Sequence, residues 1–354
     1  MPSLLIEIAM TTACLALALF VAFLIYLVVR YTPIVGRVFE EKPMFFPLRI
    51  SRADEGEDVT FASREGLTLA GTYLRARAPR RTGVIIFCHE YLSDRWGVLP
   101  YADHLRDHGF DLFCFDYRNH GRSEVVPGYS PLQWVTDYEV ADVQAALAYV
   151  KSREDADPAG VGLFGISRGG GSALCAAAKD PGVWGVVTDG AFPTRGTMES
   201  YVTRWAEIFV GNRPFWRVMP KGIFAFLCWT GRVRTQAKLG CRYPDIETAV
   251  RRLAPRPWLA IHGQKDAYIG VGIARALFAY AGEPKELWIV PTAKHNRCRE
   301  KEPVAYAGRV AAFFNRSAPR RPARVAEPAR VEIGPVAAFD AIPSHLGVEV
   351  SAAS

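Results

Sequence analysis

The sequence predicts a doubly wound, mostly parallel α/β sheet with a helical cap insert, preceded by one transmembrane helix. Short apolar runs alternate with longer helix-prone segments from about residue 84 to residue 315, and this alternation is typical of a parallel sheet with helices on both faces. A helical, aromatic and basic stretch interrupts the alternation between about residues 192 and 247. At 354 residues, 50% of them hydrophobic, the chain suits one large domain with attachments.

The apolar stretch Ile8–Val29 contains no charged residue and is long enough to cross a bilayer, because 22 helical residues extend about 33 Å. A cleaved signal peptide is the competing interpretation, since the Ala-Leu-Ala at residues 16–18 resembles a cleavage site. Glu7 stands where a signal peptide carries a cation, and the run is too long for a signal, so we expect a membrane anchor over residues 1–30.

Positive charge follows the anchor. The cations that come next are Arg30, Arg37, Lys42, Arg49 and Arg52. Because positive residues flank a span on its cytoplasmic side, they predict a single-pass membrane protein whose C-terminal bulk is cytoplasmic. The seven cysteines are odd in number, mostly lie in apolar runs and show no Cys-x-x-Cys spacing, which is typical of free thiols in a reducing compartment and indicates no metal site.

A connector at residues 31–56, rich in Pro and Phe, leads to the α/β domain, which is expected over residues 57–316. Its first two strands alternate in hydrophobicity around a turn, as a hairpin does, whereas the third is a continuous β-branched run of the kind buried on both faces of a parallel sheet. The tail at residues 317–354 lacks a hydrophobic period and is expected to be disordered.

The expected strands are Asp58–Phe61, Leu67–Leu74, Val84–Cys88, Phe110–Asp116, Val161–Phe164, Val183–Thr188, Pro257–Gly263 and Glu286–Val290. The helices are expected at about Trp96–His108, Pro131–Lys151, Ser172–Lys179, Val271–Ala281 and Glu302–Asn315.

A Gly-x-Ser-x-Gly pattern, Gly165 to Gly169, joins a predicted strand to a predicted helix. A serine on so sharp a turn has its hydroxyl pushed out of the sheet, and the glycines two positions away on either side let the backbone turn. The helix that follows directs its N–H groups to the point where an oxyanion would form. Ser167 is therefore the candidate nucleophile, although the pattern by itself also occurs in ordinary turns of glycine-rich chains.

Two further candidate residues follow Ser167 along the chain, first an acid and then a histidine. Asp266 stands just past a strand in His-Gly-Gln-Lys-Asp, and His295 lies in Thr-Ala-Lys-His-Asn at residues 292–296. With this order, the region from about Asp58 to Arg316 resembles the α/β-hydrolase superfamily, in its serine esterase, lipase and serine aminopeptidase-like branches. The resemblance implies that His295 is the general base and that Asp266 orients it. Asp189 also ends a strand and remains the alternative acid.

The resemblance also implies an oxyanion hole made of two backbone N–H groups, those of Arg168 and Tyr91. Glu90 departs from the family pattern, in which His-Gly is usual at this point. A carboxylate beside an oxyanion would oppose it unless turned away or paired. We therefore expect the side chain of Glu90 to face solvent, with an ion pair to Arg168 as the alternative.

The string Asp116–Ser123 resembles the family's Asp-x-Arg-x-His-Gly-x-Ser loop, which implies that His120 helps to shape the floor of the site. His89 and His262 end strands in turns. Structural roles are expected for all three histidines.

The insert at residues 192–247 falls where family members carry a cap over the active site. Residues 191–256 hold twelve Lys and Arg against four Asp and Glu, a surplus as large as the net charge of the whole chain, +7. A basic, aromatic cap beside a membrane anchor is expected to dock on an anionic leaflet. The alternative is that its aromatic side chains pack on the core and its arginines are solvated. Nucleic acid is not expected, since no reader motif is present.

Together these features predict a membrane-anchored serine hydrolase that cleaves carboxylic esters or thioesters, with lipid or other hydrophobic acyl substrates favoured. A serine peptidase, an acyltransferase and a noncatalytic binding protein of the same fold are the alternatives. No cofactor is expected, because neither a Walker loop nor a Gly-x-Gly-x-x-Gly after a strand is present. A serine nucleophile also argues against epoxide and haloalkane hydrolysis, since relatives with those activities use an aspartate.

Overall fold

The computed structural model describes residues 2–42, 50–53, 55–209 and 220–319. Its strands are β1 (Glu57–Ala62), β2 (Thr68–Leu74), β3 (Gly83–Cys88), β4 (Phe110–Phe115), β5 (Val161–Ile166), β6 (Val183–Asp189), β7 (Trp258–Gly263) and β8 (Lys285–Val290). They form one sheet in the order β1-β2-β4-β3-β5-β6-β7-β8. β2 is antiparallel to both of its neighbours, and all other pairs are parallel. The mostly parallel α/β sheet predicted from the sequence is thus confirmed.

The helices are α1 (Pro2–Glu40), α2 (Val98–Ala102), α3 (Asp137–Ser152), α4 (Arg168–Ala177), α5 (Thr194–Phe209), α6 (Lys221–Leu239), α7 (Ile246–Arg251), α8 (Val271–Tyr280), α9 (Cys298–Lys301) and α10 (Pro303–Ser317). The sheet lies between two layers of helices, because alternate residues of β3 enter different apolar clusters. Ile86 packs with α3 and α4 on one face, and Phe87 packs with α2 and α10 on the other.

Three helices differ from the expected bounds by more than two residues. The expected helix 96–108 is split into α2 and two flanking 3-10 turns, because Gly97 and Pro100 disfavour a continuous helix. α3 begins at Asp137, since Thr136 and Glu139 form a capping box that starts the helix there. α4 begins at Arg168, immediately after Ser167, and so includes glycines that propensity alone would exclude.

Helix α1 is long and apolar enough to cross a membrane, with a mean hydropathy of 2.7 over its most apolar window. A signal sequence near the N-terminus meets the same criterion of length and composition. The helix continues to Glu40, so the expected connector 31–56 begins inside it. Parts of three predicted segments lie outside the described residues. They are residues 43–49 and 54 of the connector, residues 210–219 of the cap, and the tail from residue 320.

The two halves of α1 have different surroundings. From Ser3 to Phe23 every side chain is exposed, whereas four apolar side chains of the second half are buried: Leu27, Val35, Val38 and Phe39. They belong to a third apolar cluster, which also contains Phe224, Leu227 and Cys228 of α6. The second half of α1 is therefore packed against the cap.

Candidate active site

Ser167 stands on a sharp turn between β5 and α4. Its φ of 51° and ψ of −116° are strained for a residue with a side chain. Two glycines permit the turn, since a Cβ on Gly165 would lie 2.5 Å from the carbonyl oxygen of Gly169, and a Cβ on Gly169 only 2.2 Å from that of Cys88. The first turn of α4 is thereby held against the end of β3.

A chain of hydrogen bonds joins Ser167, His295 and Asp266. Ser167 Oγ lies 2.9 Å from His295 Nε2, and His295 Nδ1 lies 2.6 Å from Asp266 Oδ2. Because an ionised carboxylate can only accept, Nδ1 carries the proton, and Nε2 is left to accept from the serine hydroxyl. This is the arrangement that a general base needs in order to activate a hydroxyl nucleophile.

The carboxylate of Asp266 is fixed by its own loop. Its second oxygen, Oδ1, accepts hydrogen bonds from the backbone N–H groups of Tyr268, at 2.9 Å, and Ile269, at 2.8 Å. Burial by itself would raise the pKa of Asp266, but the hydrogen bond and charge of His295 outweigh it and lower the pKa. Asp266 is thus an anion in the folded protein at neutral pH.

The loops that carry Asp266 and His295 are joined to each other. The N–H of Lys265 donates to the carbonyl oxygen of Ala293 at 2.9 Å, and a Cβ on Gly263 would lie 2.5 Å from the same oxygen. Asn296, next to His295, adopts a φ of 55°. Glycine at position 263 is therefore required for the close approach that brings the two side chains together.

Asp189, the alternative acid, is fully buried at the end of β6. Its Oδ2 accepts a hydrogen bond from the hydroxyl of Tyr306 at 3.1 Å, and burial raises its pKa to about 6. The hydrogen bond of His295 Nδ1 goes instead to Asp266. The geometry therefore favours Asp266 as the partner of the histidine.

The two residues expected to form an oxyanion hole belong to elements that touch. Tyr91 follows β3, and its side chain lines a cavity together with Ser167 and His295. Arg168 is the first residue of α4, and its buried guanidinium donates to the carbonyl oxygen of Leu132 and to His120 Nε2, both at 3.0 Å. The arginine side chain thus helps to fix the turn, while the role of the two N–H groups stays a prediction.

Both expectations for Glu90 are wrong. Its side chain does not face solvent, since the residue is only 4% exposed, and the guanidinium of Arg168 is engaged elsewhere. Instead, the Glu90 carboxylate accepts a hydrogen bond from Asn296 Nδ2. The sequence did not predict this contact, because Glu90 and Asn296 are 206 positions apart and meet only when their two loops fold together. Burial raises the pKa of Glu90 to about 7.

The three histidines for which structural roles were expected, His89, His120 and His262, make structural contacts. His89 Nδ1 donates to the carbonyl oxygen of Glu90 at 2.8 Å, and burial lowers its pKa to about 3. His120 Nδ1 donates to the carbonyl oxygen of Arg118 at 2.8 Å, which leaves Nε2 to accept from Arg168. His262 Nε2 lies 2.9 Å from the carbonyl oxygen of Ile269, on the loop that holds Asp266.

A narrow cavity of about 30 Å³ opens beside Ser167 and His295. Apolar and aromatic side chains make most of its wall: Tyr91, Trp134, Phe192, Tyr201, Tyr268 and Ile269. A long acyl chain would need movement of these side chains or access to a neighbouring cavity.

Sequence reasoning also missed the contact between α1 and the wall of this cavity. Trp134 Nε1 donates to the carbonyl oxygen of Phe39 at 2.9 Å, and the two rings pack edge to face with centroids 5.9 Å apart. The Pro/Phe-rich composition around Phe39 was the available signal, but it does not say what the phenylalanine packs against.

Comparisons with known proteins agree with this architecture. Residues 83–218 match the family model described as alpha/beta hydrolase fold. The chain is 26% identical to the uncharacterized protein YfhR of Escherichia coli (strain K12) over 244 residues, which cover 68% of this chain and 73% of YfhR. It is 28% identical to the uncharacterized protein PA2218 of Pseudomonas aeruginosa over 316 residues, or 76% of this chain and 82% of that one.

Solved structures show the same fold. The Pyrococcus furiosus esterase Pf2001 superposes with a TM-score of 0.57 at 18% sequence identity, covering 79% of this chain and all of that one. The crystal structure of PA2218 superposes with a TM-score of 0.51 at 23% identity, covering 77% of this chain.

Proposed function

We propose that this protein, whose chain has the α/β-hydrolase fold, is a membrane-anchored serine hydrolase that cleaves carboxylic esters or thioesters of hydrophobic acyl groups. The observation that carries the proposal is the hydrogen-bonded chain from Ser167 Oγ through His295 to Asp266. The strained backbone at Ser167 supports it, because strain of this kind persists where the surrounding structure enforces it and clusters at active sites.

The proposed reaction begins with attack of Ser167 Oγ on the acyl carbonyl carbon while His295 Nε2 takes the hydroxyl proton. Asp266 holds the imidazole and stabilises its charged form. The N–H groups of Tyr91 and Arg168 would stabilise the oxyanion. His295 then gives its proton to the leaving alcohol or thiol, and water releases the acyl group from Ser167 in a second round of the same steps.

The apolar half of α1 suggests where the enzyme works. Residues 3–23 are exposed along a length of about 31 Å, close to the thickness of a bilayer core. We interpret this half as a single membrane span, and the cations that follow it as placing the catalytic domain in the cytoplasm. The basic cap would then lie near the lipid surface, where hydrophobic acyl substrates are concentrated.

Labelling with a fluorophosphonate probe tests the proposed chemistry, because such probes react with activated serines. We expect full-length protein in membrane fractions to be labelled and the Ser167→Ala and His295→Ala variants to remain unlabelled. Failure of a folded wild type to react would favour the noncatalytic alternative. A panel of p-nitrophenyl esters of rising chain length, compared with the matching anilides, then separates an esterase from a peptidase.

A further inference from the structure

Helices α1 and α6 run side by side in the same direction. The hydroxyls of Thr32 and Thr230 lie 2.8 Å apart, and Lys238 pairs with Glu40 two turns further along. These contacts join residues separated by the same 198 positions, which is possible only if the helices are parallel and in register. The apolar start of α6 is therefore level with the middle of α1, where the exposed half ends.

The contact between the two helices is close. A Cβ on Gly231 would lie 2.4 Å from a methyl carbon of Val35, so only glycine lets the backbones approach so far. Thr235 Oγ1 also lies 3.5 Å from the carbonyl oxygen of Gly36. The end of α1 is consequently packed into the cap.

A second cavity lies where α1 ends. It has a volume of about 310 Å³, roughly ten times that of the cavity beside Ser167, and α1 and the residues after it form one wall through Val38, Glu41 and Lys42. The two cavities share three lining residues: Gln133, Tyr201 and Tyr268. The larger cavity therefore adjoins the candidate nucleophile on one side and the end of the apolar helix on the other.

The larger cavity carries positive charge. Lys42 and Arg204 both line it. Both cations donate hydrogen bonds to neutral oxygens: Lys42 Nζ to Ser130 Oγ at 2.8 Å, and Arg204 to the carbonyl oxygen of Ala267 at 3.2 Å. Glu41 is the one acid among its lining residues. The balance favours a ligand group with negative charge.

We infer that the larger cavity is a headgroup subsite, which binds the phosphate of a membrane-derived acyl ester of glycerol phosphate through Lys42 and Arg204. This inference rests on the proposed function. The ester bond would meet Ser167 at the narrow cavity, past Gln133, Tyr201 and Tyr268, where none of the described lining residues is an Asp, Glu, Lys or Arg. Hydrolysis would release the fatty acid and leave glycerol phosphate in the larger cavity.

The test compares two substrates that differ only in the phosphate, 1-dodecanoylglycerol 3-phosphate and 1-dodecanoylglycerol. Each is presented at the same mole fraction in phosphatidylcholine vesicles that carry the full-length protein, and release of dodecanoate is measured. We expect kcat/KM to be about tenfold higher for the phosphate ester. In the Lys42→Gln/Arg204→Gln variant, the ratio of the two kcat/KM values is expected to fall close to one.

The matched control is Arg275→Gln/Lys301→Gln, which removes the same charge from exposed positions on α8 and α9. This variant should keep the wild-type preference for the phosphate ester. If it loses that preference as well, the loss in Lys42→Gln/Arg204→Gln comes from weaker attraction to the vesicle surface. Equal rates on both substrates in the wild type, or a preference that survives in Lys42→Gln/Arg204→Gln, would overturn the inference.

Fluorophosphonate labelling in the same vesicles separates this inference from the proposed function. A wild type that is labelled and hydrolyses dodecanoylglycerol but shows no preference for phosphate would contradict only the headgroup subsite. A wild type that is neither labelled nor active on either ester would contradict the proposed hydrolase, and the subsite with it.

Discussion

The two walls of the cavity beside Ser167 are built in different ways. The wall on the side of the sheet carries Ser167 and His295 on loops at strand ends, and Asp266 stands behind the histidine; all three are held by directed hydrogen bonds. The opposite wall consists of large apolar side chains such as Trp134 and Phe192, which pack in the cluster that includes the end of α1. Under the proposed function, we expect the first wall to supply the chemistry and the second to select and orient the substrates.

The largest expected effect belongs to the sheet wall. Asp266→Asn should lower kcat by about 10³ to 10⁴, because an amide favours the wrong imidazole tautomer and no longer stabilises the charged ring. Asp189→Asn should lower kcat far less, by about tenfold or less, since Asp189 Oδ2 accepts from Tyr306 and Asn can accept the same bond. Steady-state hydrolysis of a p-nitrophenyl ester measures both. The reverse order of effects would make Asp189 the catalytic acid.

The next effect belongs to the cap wall and should appear mainly as lost stability. Phe39 is completely buried, so Phe39→Ala should reduce the free energy of unfolding by about 3 to 5 kcal/mol, through lost burial and the cavity that remains. Thermal unfolding of the detergent-solubilised full-length protein should show the melting temperature fall by several degrees.

Phe20→Ala is the matched control for Phe39→Ala, since Phe20 lies on the same helix but is 56% exposed. It should leave the melting temperature nearly unchanged. If the two variants behave alike, the packing of the second half of α1 against the cap does not contribute to the stability of the α/β domain.

The same contrast explains what the sequence could predict. Strand ends, the turn at Ser167 and the order of Asp266 and His295 are local patterns, so the sheet wall could be inferred from residue types and spacing. The cap wall depends on contacts between segments that are distant in the sequence, such as that of Phe39 with Trp134. Apolar composition predicts that such side chains are buried, but not which residues they contact. The predictions for the side chain of Glu90 were wrong for the same reason, because its hydrogen-bond partner, Asn296, lies on a distant loop.

Glu90 offers a test with an effect of intermediate size, because it lies where the loops that carry Tyr91 and His295 meet. Its pKa is raised from 4.5 to about 7 by burial, so between these pH values the folded state binds more protons at Glu90 than the unfolded state does. Its contribution to stability is therefore present below about pH 4.5 and is lost as the pH rises through about 7.

Glu90→Gln removes this titration while its side-chain carbonyl can still accept from Asn296 Nδ2. Relative to the wild type, the variant should gain about 1 to 3 kcal/mol in free energy of unfolding as the pH rises from 4.5 to 7. Denaturant unfolding at a series of pH values measures the difference and cancels the titration of Asp142 and Asp189, whose pKa values burial also raises to about 6. A difference that does not depend on pH would show that Glu90 titrates normally.

The smallest effect is expected at the rim of the contact between α1 and α6. Lys238 pairs with Glu40 there, but its side chain is 59% exposed, and an exposed ion pair gains little over its separately hydrated charges. Lys238→Gln should therefore reduce the free energy of unfolding by about 0.5 kcal/mol or less. Gly231→Val should cost several times more, because its Cβ would collide with Val35. Denaturant unfolding of the two variants compares them directly, and a larger loss from Lys238→Gln would mean that charge, rather than close packing, joins α1 to the cap.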